Sequence, residues 1–436
     1  MTSQTRKPKQ PKLLRFADSF LFLLDKCFGR RLVFDEEEAI REACRKTGLN
    51  EFGTDLFRTP LRLICDSTRT GRPKRLLARL HVKGNVISCL AAVLRIQDEV
   101  TRHPEILDEE IRKPIFILGA PRTGTTLLHR LLARDPAHRA PRLWEMAEPV
   151  PPPEESTYES DRRMKMHEML FGIFYYCVPE VKAMHDIGDM HEPEDCMHIT
   201  RNILAEPTYS VIIAGYDGWY TDHLDSKAVY EFHKLELKVL QWKFKRTRWV
   251  LKAPMHLRHI SSLLAVYPDA CIIQTHRNPR EFLPSWGSLF YSYMRFYYTN
   301  PDEILDDIGG HVLDTLGRMV DEGLEQRKQA GNGVGGASFY DLSYKDFIGN
   351  PLGAVKDIYG AFGFDFSDAA ARRMKEYLDA TPQNKYGKHT YSLKQFGLDP
   401  VTVDRRFGNY CEYFSENGEF VNTFTCGGNR VRRHFI

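Results

Sequence analysis

The sequence predicts an α/β fold: a parallel sheet flanked by helices, with a helical N-terminal region and a helical insertion inside the sheet-forming part. Three observations predict it. Short apolar runs at Ile115-Phe116-Ile117-Leu118, Trp249-Val250-Leu251 and Ala270-Cys271-Ile272-Ile273 read as buried strands. Helix-forming stretches follow them, and strands alternating with helices imply a parallel sheet covered on both faces. The first run enters the turn Gly119-Ala120-Pro121-Arg122-Thr123-Gly124-Thr125-Thr126, then a helix whose Leu127, Leu128, Leu131 and Leu132 share one face. Strand, tight glycine turn and helix start make the sheet P-loop-like, with backbone N–H groups and the helix dipole poised for an anion.

Residues 1–13 are polar and basic, with Arg6, Lys7, Lys9 and Lys12, and read as a disordered tail. Residues 14–28 form an amphipathic stretch, too short and too interrupted by Asp18 and Asp25 to span a membrane. Together, residues 1–28 could touch a membrane surface, although a helix packed on the domain is the plainer reading. Residues 14–110 read as a helical region, with helices at 36–47, 59–66 and 74–103, the last interrupted near Gly84-Asn85. Its role is to pack on the core or to meet a second subunit in a homodimer.

The main α/β domain spans 111–400. After the loop helix, Asp135-Pro136 ends the helix and leads to Leu143-Trp144-Glu145-Met146, and the prolines of 149–153 enforce an extended segment. Residues 158–245 are a mostly helical, aromatic-rich insertion, a place where a second substrate could bind. The sheet resumes through Lys252-Ala253-Pro254, a helix from about 256 to 267, and the strand ending in His276-Arg277-Asn278-Pro279. A helix at 303–328, the glycine-rich linker 331–336, a strand at 338–342 and a helix at 351–362 complete it. Residues 401–436 read as a C-terminal extension.

Composition limits what the protein does. The 436 residues carry 61 basic and 58 acidic side chains, a net charge of +3 too balanced for nucleic acid as the main partner. Apolar content of 42% and aromatic content of 12% suit a folded soluble enzyme. The nine cysteines are odd in number, scattered and never in C-x-x-C spacing. That pattern implies reduced thiols, a cytoplasmic location and no zinc site. His191-Glu192-Pro193-Glu194-Asp195 matches no metal-ligand spacing either.

The turn at 119–126 nearly has Walker A spacing, but Thr125 stands where the lysine belongs, and the loop's only cation is Arg122. The loop therefore suits a phosphate-like group better than nucleoside triphosphate chemistry. Lys252 and Arg277 close two other strands at the same end of the sheet, where ligands of such sheets gather. Three donor-rich strand ends imply a ligand with two separated anionic groups.

These residues resemble the sulfotransferases that use 3′-phosphoadenosine 5′-phosphosulfate (PAPS). Pro121-Arg122-Thr123-Gly124-Thr125-Thr126 is similar to their 5′-phosphosulfate loop, and Arg277-Asn278-Pro279 with Ser285 to their 3′-phosphate motif. The likeness is to the broad, poorly characterised "PRTGTT" group and runs from about residue 40 to about 400. It includes Lys252-Ala253-Pro254, Tyr344-Lys345-Asp346 and Tyr391-Ser392-Leu393-Lys394-Gln395-Phe396-Gly397. The resemblance implies that Arg122, Thr123, Gly124, Thr125 and Thr126 wrap the 5′-phosphosulfate, that Arg277 and Ser285 hold the 3′-phosphate, and that Tyr344 lies near the adenine. It implies no obligatory metal and an unidentified small-molecule or carbohydrate acceptor carrying a hydroxyl or amine.

Lys252 matches the lysine of a K-T-H segment in the cytosolic enzymes, but Pro254 replaces their histidine, which leaves the general base open. Glu145 lies near the offset of the glutamate base of heparan-type enzymes; His191 and His256 are the other two candidates. The family's C-terminal G-x-x-G-x-x-K pattern has only loose counterparts, Gly387-Lys388 and Lys394. Two readings from other classes stand beside this one: a P-loop-type nucleotide kinase or hydrolase, and a non-catalytic PAPS-binding protein.

Overall fold

Five parallel strands form one sheet in the order β2-β3-β1-β4-β5. They are β1 (Ile115–Gly119), β2 (His138–Arg139), β3 (Arg248–Lys252), β4 (Cys271–His276) and β5 (Ser338–Ser343). The computed structural model describes residues 34–70, 75–206, 213, 215–298, 302–330, 337–381 and 391–416. Placing β1 between β3 and β4 brings the glycine turn, Lys252 and Arg277 to one edge. Ile115 pairs with Val250 and Cys271, and Gly119 with Thr275, so three strand ends finish nearly level.

The pleat explains why β1 is apolar throughout. Ile115 and Ile117 face a layer with Leu128, Leu131, Ile273, Val355 and Ile358. Phe116 and Leu118 face the opposite, larger layer, which includes Leu90, Leu94, Leu237 and Leu251. Every β1 residue is buried, as in parallel strands covered on both sides. The short β2 was not foreseen, since two residues, His138 and Arg139, carry no periodicity that a sequence could display.

The N-terminal helices supply much of the second layer. Asp35 caps the helix Glu36–Thr47 by accepting from the Glu38 N–H at 2.7 Å, and Gly48 ends it in the left-handed region. The helix Leu76–Arg102 runs unbroken through Gly84-Asn85, where an interruption was expected. A Cβ on Gly84 would meet nothing within 4 Å, so this glycine costs only its usual ~1 kcal/mol of helix propensity. The expected single helix after Pro254 is instead a 3₁₀ turn, Pro254–Arg258, and a short α-helix, Ile260–Val266.

Beyond residue 400, helices Pro400–Arg406 and Gly408–Glu416 pack into the core through Val403, Phe407 and Tyr410. Tyr410 reaches His276 at the end of β4, with 2.9 Å between its hydroxyl and Nδ1. Cys44, Cys65, Cys89, Cys177, Cys196 and Cys271 form no disulfide. Cys411 is disulfide-bonded, against the expectation of uniformly reduced cysteines; spacing along the chain says little about approach in space. The expected basic tail, the amphipathic stretch 14–28, the linker 331–336 and Gly387-Lys388 lie outside the described residues.

Candidate active site

The turn after β1 needs its glycines. Gly119 has φ of 146°, and a Cβ there would sit 2.4 Å from Thr275 Oγ1 and 2.6 Å from the Thr275 carbonyl oxygen. Gly124 has φ of 92°, and its Cβ would come within 3.0 Å of the Tyr344 ring. Both positions therefore combine a left-handed or open backbone with close approach. Arg122 itself adopts φ of 70°, an uncommon conformation for a non-glycine residue. Thr123 holds the turn shut, donating to the Ala120 carbonyl or sharing a hydrogen bond with Thr275 Oγ1, each at 2.6 Å. No side chain caps the helix Thr125–Leu132, so its first-turn N–H groups stay available for an anion.

The second motif folds against the first. Arg122 Nε donates to Ser285 Oγ at 3.0 Å across 163 residues of sequence. Arg277 donates to the Arg122 carbonyl at 2.9 Å, and its guanidinium lies 4.1 Å from the centre of the Tyr344 ring. Arg122, Gly124, Arg277, Ser285 and Tyr344 thus form one crevice. Asn278 builds its wall by capping the long helix Pro279–Tyr297, which carries Ser285. Burial, and further the positive charge of Arg277, work against the charge of Arg122, an imbalance that a bound anion would relieve.

Lys252 closes the crevice from β3. It is buried, paired with Asp195, and donates to Thr126 Oγ1 at 3.5 Å. Burial pulls its pKa down to about 8, and nearby Glu194 opposes that shift. The Lys252 carbonyl accepts from the Cys196 N–H at 2.9 Å, tying a long irregular segment, residues 185–196, across the strand ends. At its other end, the Met184 carbonyl accepts from Arg122 at 3.1 Å and the Asp186 carbonyl from Arg130 at 3.0 Å.

The three bases expected from sequence are each bonded to other protein groups. Glu145 is fully buried and takes hydrogen bonds from Arg139 at 2.6 Å, Tyr158 at 2.6 Å and the Arg142 N–H at 2.9 Å. It neutralises a buried arginine that lies over Phe244 and Trp249, which makes it a structural carboxylate. His191 is exposed and pairs at 3.1 Å with exposed Glu159. His256 is buried behind the sheet, hydrogen-bonded to the Tyr230 hydroxyl at 2.6 Å and Cys196 Sγ at 3.0 Å. Its ring meets Phe116 edge-on, and burial holds its pKa well below the usual histidine value.

Sequence reasoning missed His185, and it ranked His191 above Glu194 and Asp195 within the acidic cluster. His185 Nε2 lies 3.7 Å from Glu194 Oε1, and Nδ1 lies 3.5 Å from the Tyr293 hydroxyl. Burial lowers the His185 pKa to about 4, while Glu194 pulls the other way. The Glu194 carboxyl is held below its usual pKa against its own burial by the charges of Lys252 and Arg130 and, once protonated, of His185 and His198. The only available signal was position: His185 follows directly on a helix end and carries no motif.

A profile of the sulfotransferase family matches residues 114–368. The omega-hydroxy-beta-dihydromenaquinone-9 sulfotransferase Stf3 of Mycobacterium tuberculosis is 28% identical over 313 residues, 69% of this chain and 74% of the relative. The crystal structure of sulfotransferase STF9 from Mycobacterium avium matches with a TM-score of 0.78 at 27% identity, covering 87% of this chain and 96% of that one. That of STF1 from Mycobacterium tuberculosis H37Rv matches with a TM-score of 0.73 at 30% identity, covering 86% and 99%.

Proposed function

We propose that this chain, which belongs to the sulfotransferase family, moves a sulfuryl group from PAPS to the hydroxyl of a lipid-like acceptor. The family implies PAPS as donor, and one observation carries the site assignment. The turn after β1 and the helix after β4 are joined by the Arg122–Ser285 hydrogen bond into a single crevice with cationic and N–H donors along it. The glycine turn suits a phosphate-like group, because Gly119 and Gly124 let it fold tightly against Thr275 and Tyr344 while the helix start carries no side-chain cap.

In this reading, the N–H groups at 123–126 and the hydroxyls of Thr125 and Thr126 hold the 5′ end of the donor. Arg277 and Ser285 hold the 3′-phosphate, and Tyr344 stands beside Arg277 near the base. Arg122 joins the two ends through its own hydrogen bonds. The donor supplies the activated sulfur–oxygen bond. Lys252 stabilises charge that grows on the departing phosphate oxygen, an interaction strongest in the transition state. Asp195 and Thr126 fix the ammonium's position.

The proton falls to His185. Its lowered pKa keeps the imidazole neutral and able to accept a proton, and Glu194 stabilises the imidazolium that results. Negative charge on a bound donor would raise that pKa towards the working range. The hydroxylated dihydromenaquinone in the relative's name supports a lipid-like acceptor. So does the aromatic wall beside His185, where Phe174 stacks on Tyr293 with ring centroids 6.0 Å apart.

The test is transfer of labelled sulfuryl from PAPS to a panel of hydroxylated isoprenoid quinones, phenols, steroids and sugars, read by mass spectrometry. The expected product is a sulfated lipid alcohol, lost in His185→Asn while binding of 3′-phosphoadenosine 5′-phosphate (PAP) persists. PAP binding with no sulfated product from any acceptor would contradict the proposed activity.

A further inference from the structure

Among the described residues, large hydrophobic side chains that stand in solvent concentrate on one helix, Arg162–Cys177. Met166, Met169, Leu170, Ile173 and Tyr176 are 45–62% exposed there. At 3.6 residues per turn they fall within an arc of about 120°, a continuous stripe along the helix. The opposite side is anchored by Met164 and by Phe174, which meets Tyr293 and Phe296 of the helix carrying Ser285. The stripe is thus an outward face on a held helix.

Charge indicates what covers it. Arg162 projects on the stripe's own arc at the helix start, and Lys165 lies about 20° beyond its edge. Both are exposed, as is Lys182 beyond the helix end, whereas Glu168 points well away from the stripe. Apolar side chains flanked by cations suit an interfacial helix on an anionic bilayer, with the apolar residues among the acyl chains and the cations at the headgroups. The chain continues from this helix through the helix Pro179–Met184 directly to Met184 and His185 at the crevice.

We propose that helix Arg162–Cys177 docks the protein on anionic membranes and presents the crevice to a membrane-resident acceptor. The second half of that statement rests on the proposed activity; the docking does not. It also places membrane contact on a different element from the basic N-terminal stretch suggested by the sequence.

The test is co-sedimentation of the full chain with phosphatidylcholine vesicles, with and without phosphatidylglycerol. Wild type should bind the anionic vesicles, and Met169→Glu with Ile173→Glu should lower the bound fraction about tenfold. Arg162→Glu with Lys165→Glu should remove the preference for phosphatidylglycerol. All three proteins should bind PAP alike, showing that the fold and crevice are intact. Wild type that ignores both vesicle types would overturn docking. So would a wild-type dimer in gel filtration that the Met169/Ile173 variant converts to a monomer without any vesicle binding, since a second copy would then cover the stripe. If docking holds but no acceptor is sulfated, the failure belongs to the proposed activity and not to this surface.

Discussion

On the side assigned to the nucleotide, the working groups stand on or just past strand ends: Thr123 to Thr126 after β1, Arg277 after β4, Tyr344 after β5. Their positions follow from strand register, and backbone conformation at Gly119 and Gly124 does the rest. On the acceptor side, His185, Glu194 and Asp195 come from an irregular segment fixed by distant partners. Arg122 and Arg130 hold its start, Pro141 accepts from the Glu194 N–H at 3.0 Å, and Lys252 holds its end. The contrast shows two ways to place a charged group. One is written in a contiguous motif, and the other depends on contacts between remote parts of the chain.

Glu145 provides the largest expected effect and separates structure from chemistry on the acceptor side. Glu145→Ala strands the buried Arg139 charge and should cost about 3–5 kcal/mol of stability in chemical denaturation. Glu145→Gln should keep normal turnover per folded molecule. A folded Glu145→Gln that binds PAP but transfers nothing would return the base to Glu145 and remove His185 from that role.

Lys252 lies where the two sides meet. Lys252→Ala should lower kcat by about a hundred- to a thousandfold, the range for losing one preorganised donor to developing charge. PAP affinity, measured by calorimetry, should change much less. If affinity collapses and kcat survives, Lys252 belongs with the nucleotide-binding groups alone.

Arg277→Ala probes the motif-encoded side. Loss of a charge-assisted contact costs about 1.5–3 kcal/mol, so PAP should bind roughly ten- to a hundredfold more weakly. AMP binding should barely change.

The two sides were legible to different degrees for the same physical reason. The strands at 115–118, 249–252, 270–275 and 338–342 were readable because apolar runs bounded by turns leave little choice of conformation. The helix Pro351–Phe362 was readable from its proline start and glycine end. The glycine turn, Lys252 and Arg277 were named from sequence because each closes or follows such a strand, and Ser285 from the resemblance to a 3′-phosphate motif. The role of Glu145 was not legible, because a carboxylate near a tryptophan looks alike whether it serves a substrate or an arginine. Only the three-dimensional approach of Arg139 and Tyr158 decides. His185 stayed hidden since its partners, Glu194 and Tyr293, are far along the chain.

Acid sensitivity is a graded effect, small at each step of pH, and sharpens the comparison within the loop helix. His129 is fully buried, bonded through Nε2 to the Val250 carbonyl at 3.1 Å, and burial lowers its pKa to about 3. In the unfolded chain it titrates near 6.5, so it destabilises the fold as pH drops below 6.5 and stops adding to the loss near 3. Relative to His129→Gln, wild type should lose about 1.4 kcal/mol per pH unit through that window. Parallel stability curves for the two proteins between pH 6.5 and 4 would show that His129 does not titrate as its burial implies.

The most direct measurement is calorimetric comparison of PAP with AMP on the wild-type protein. The turn after β1 and the helix after β4, joined through Arg122 and Ser285 into one crevice, should read the 3′-phosphate, so PAP should bind roughly ten- to a hundredfold tighter than AMP. Equal affinities for the two nucleotides would show that Arg277 and Ser285 do not form a 3′-phosphate site, and the assigned donor orientation would fall with it.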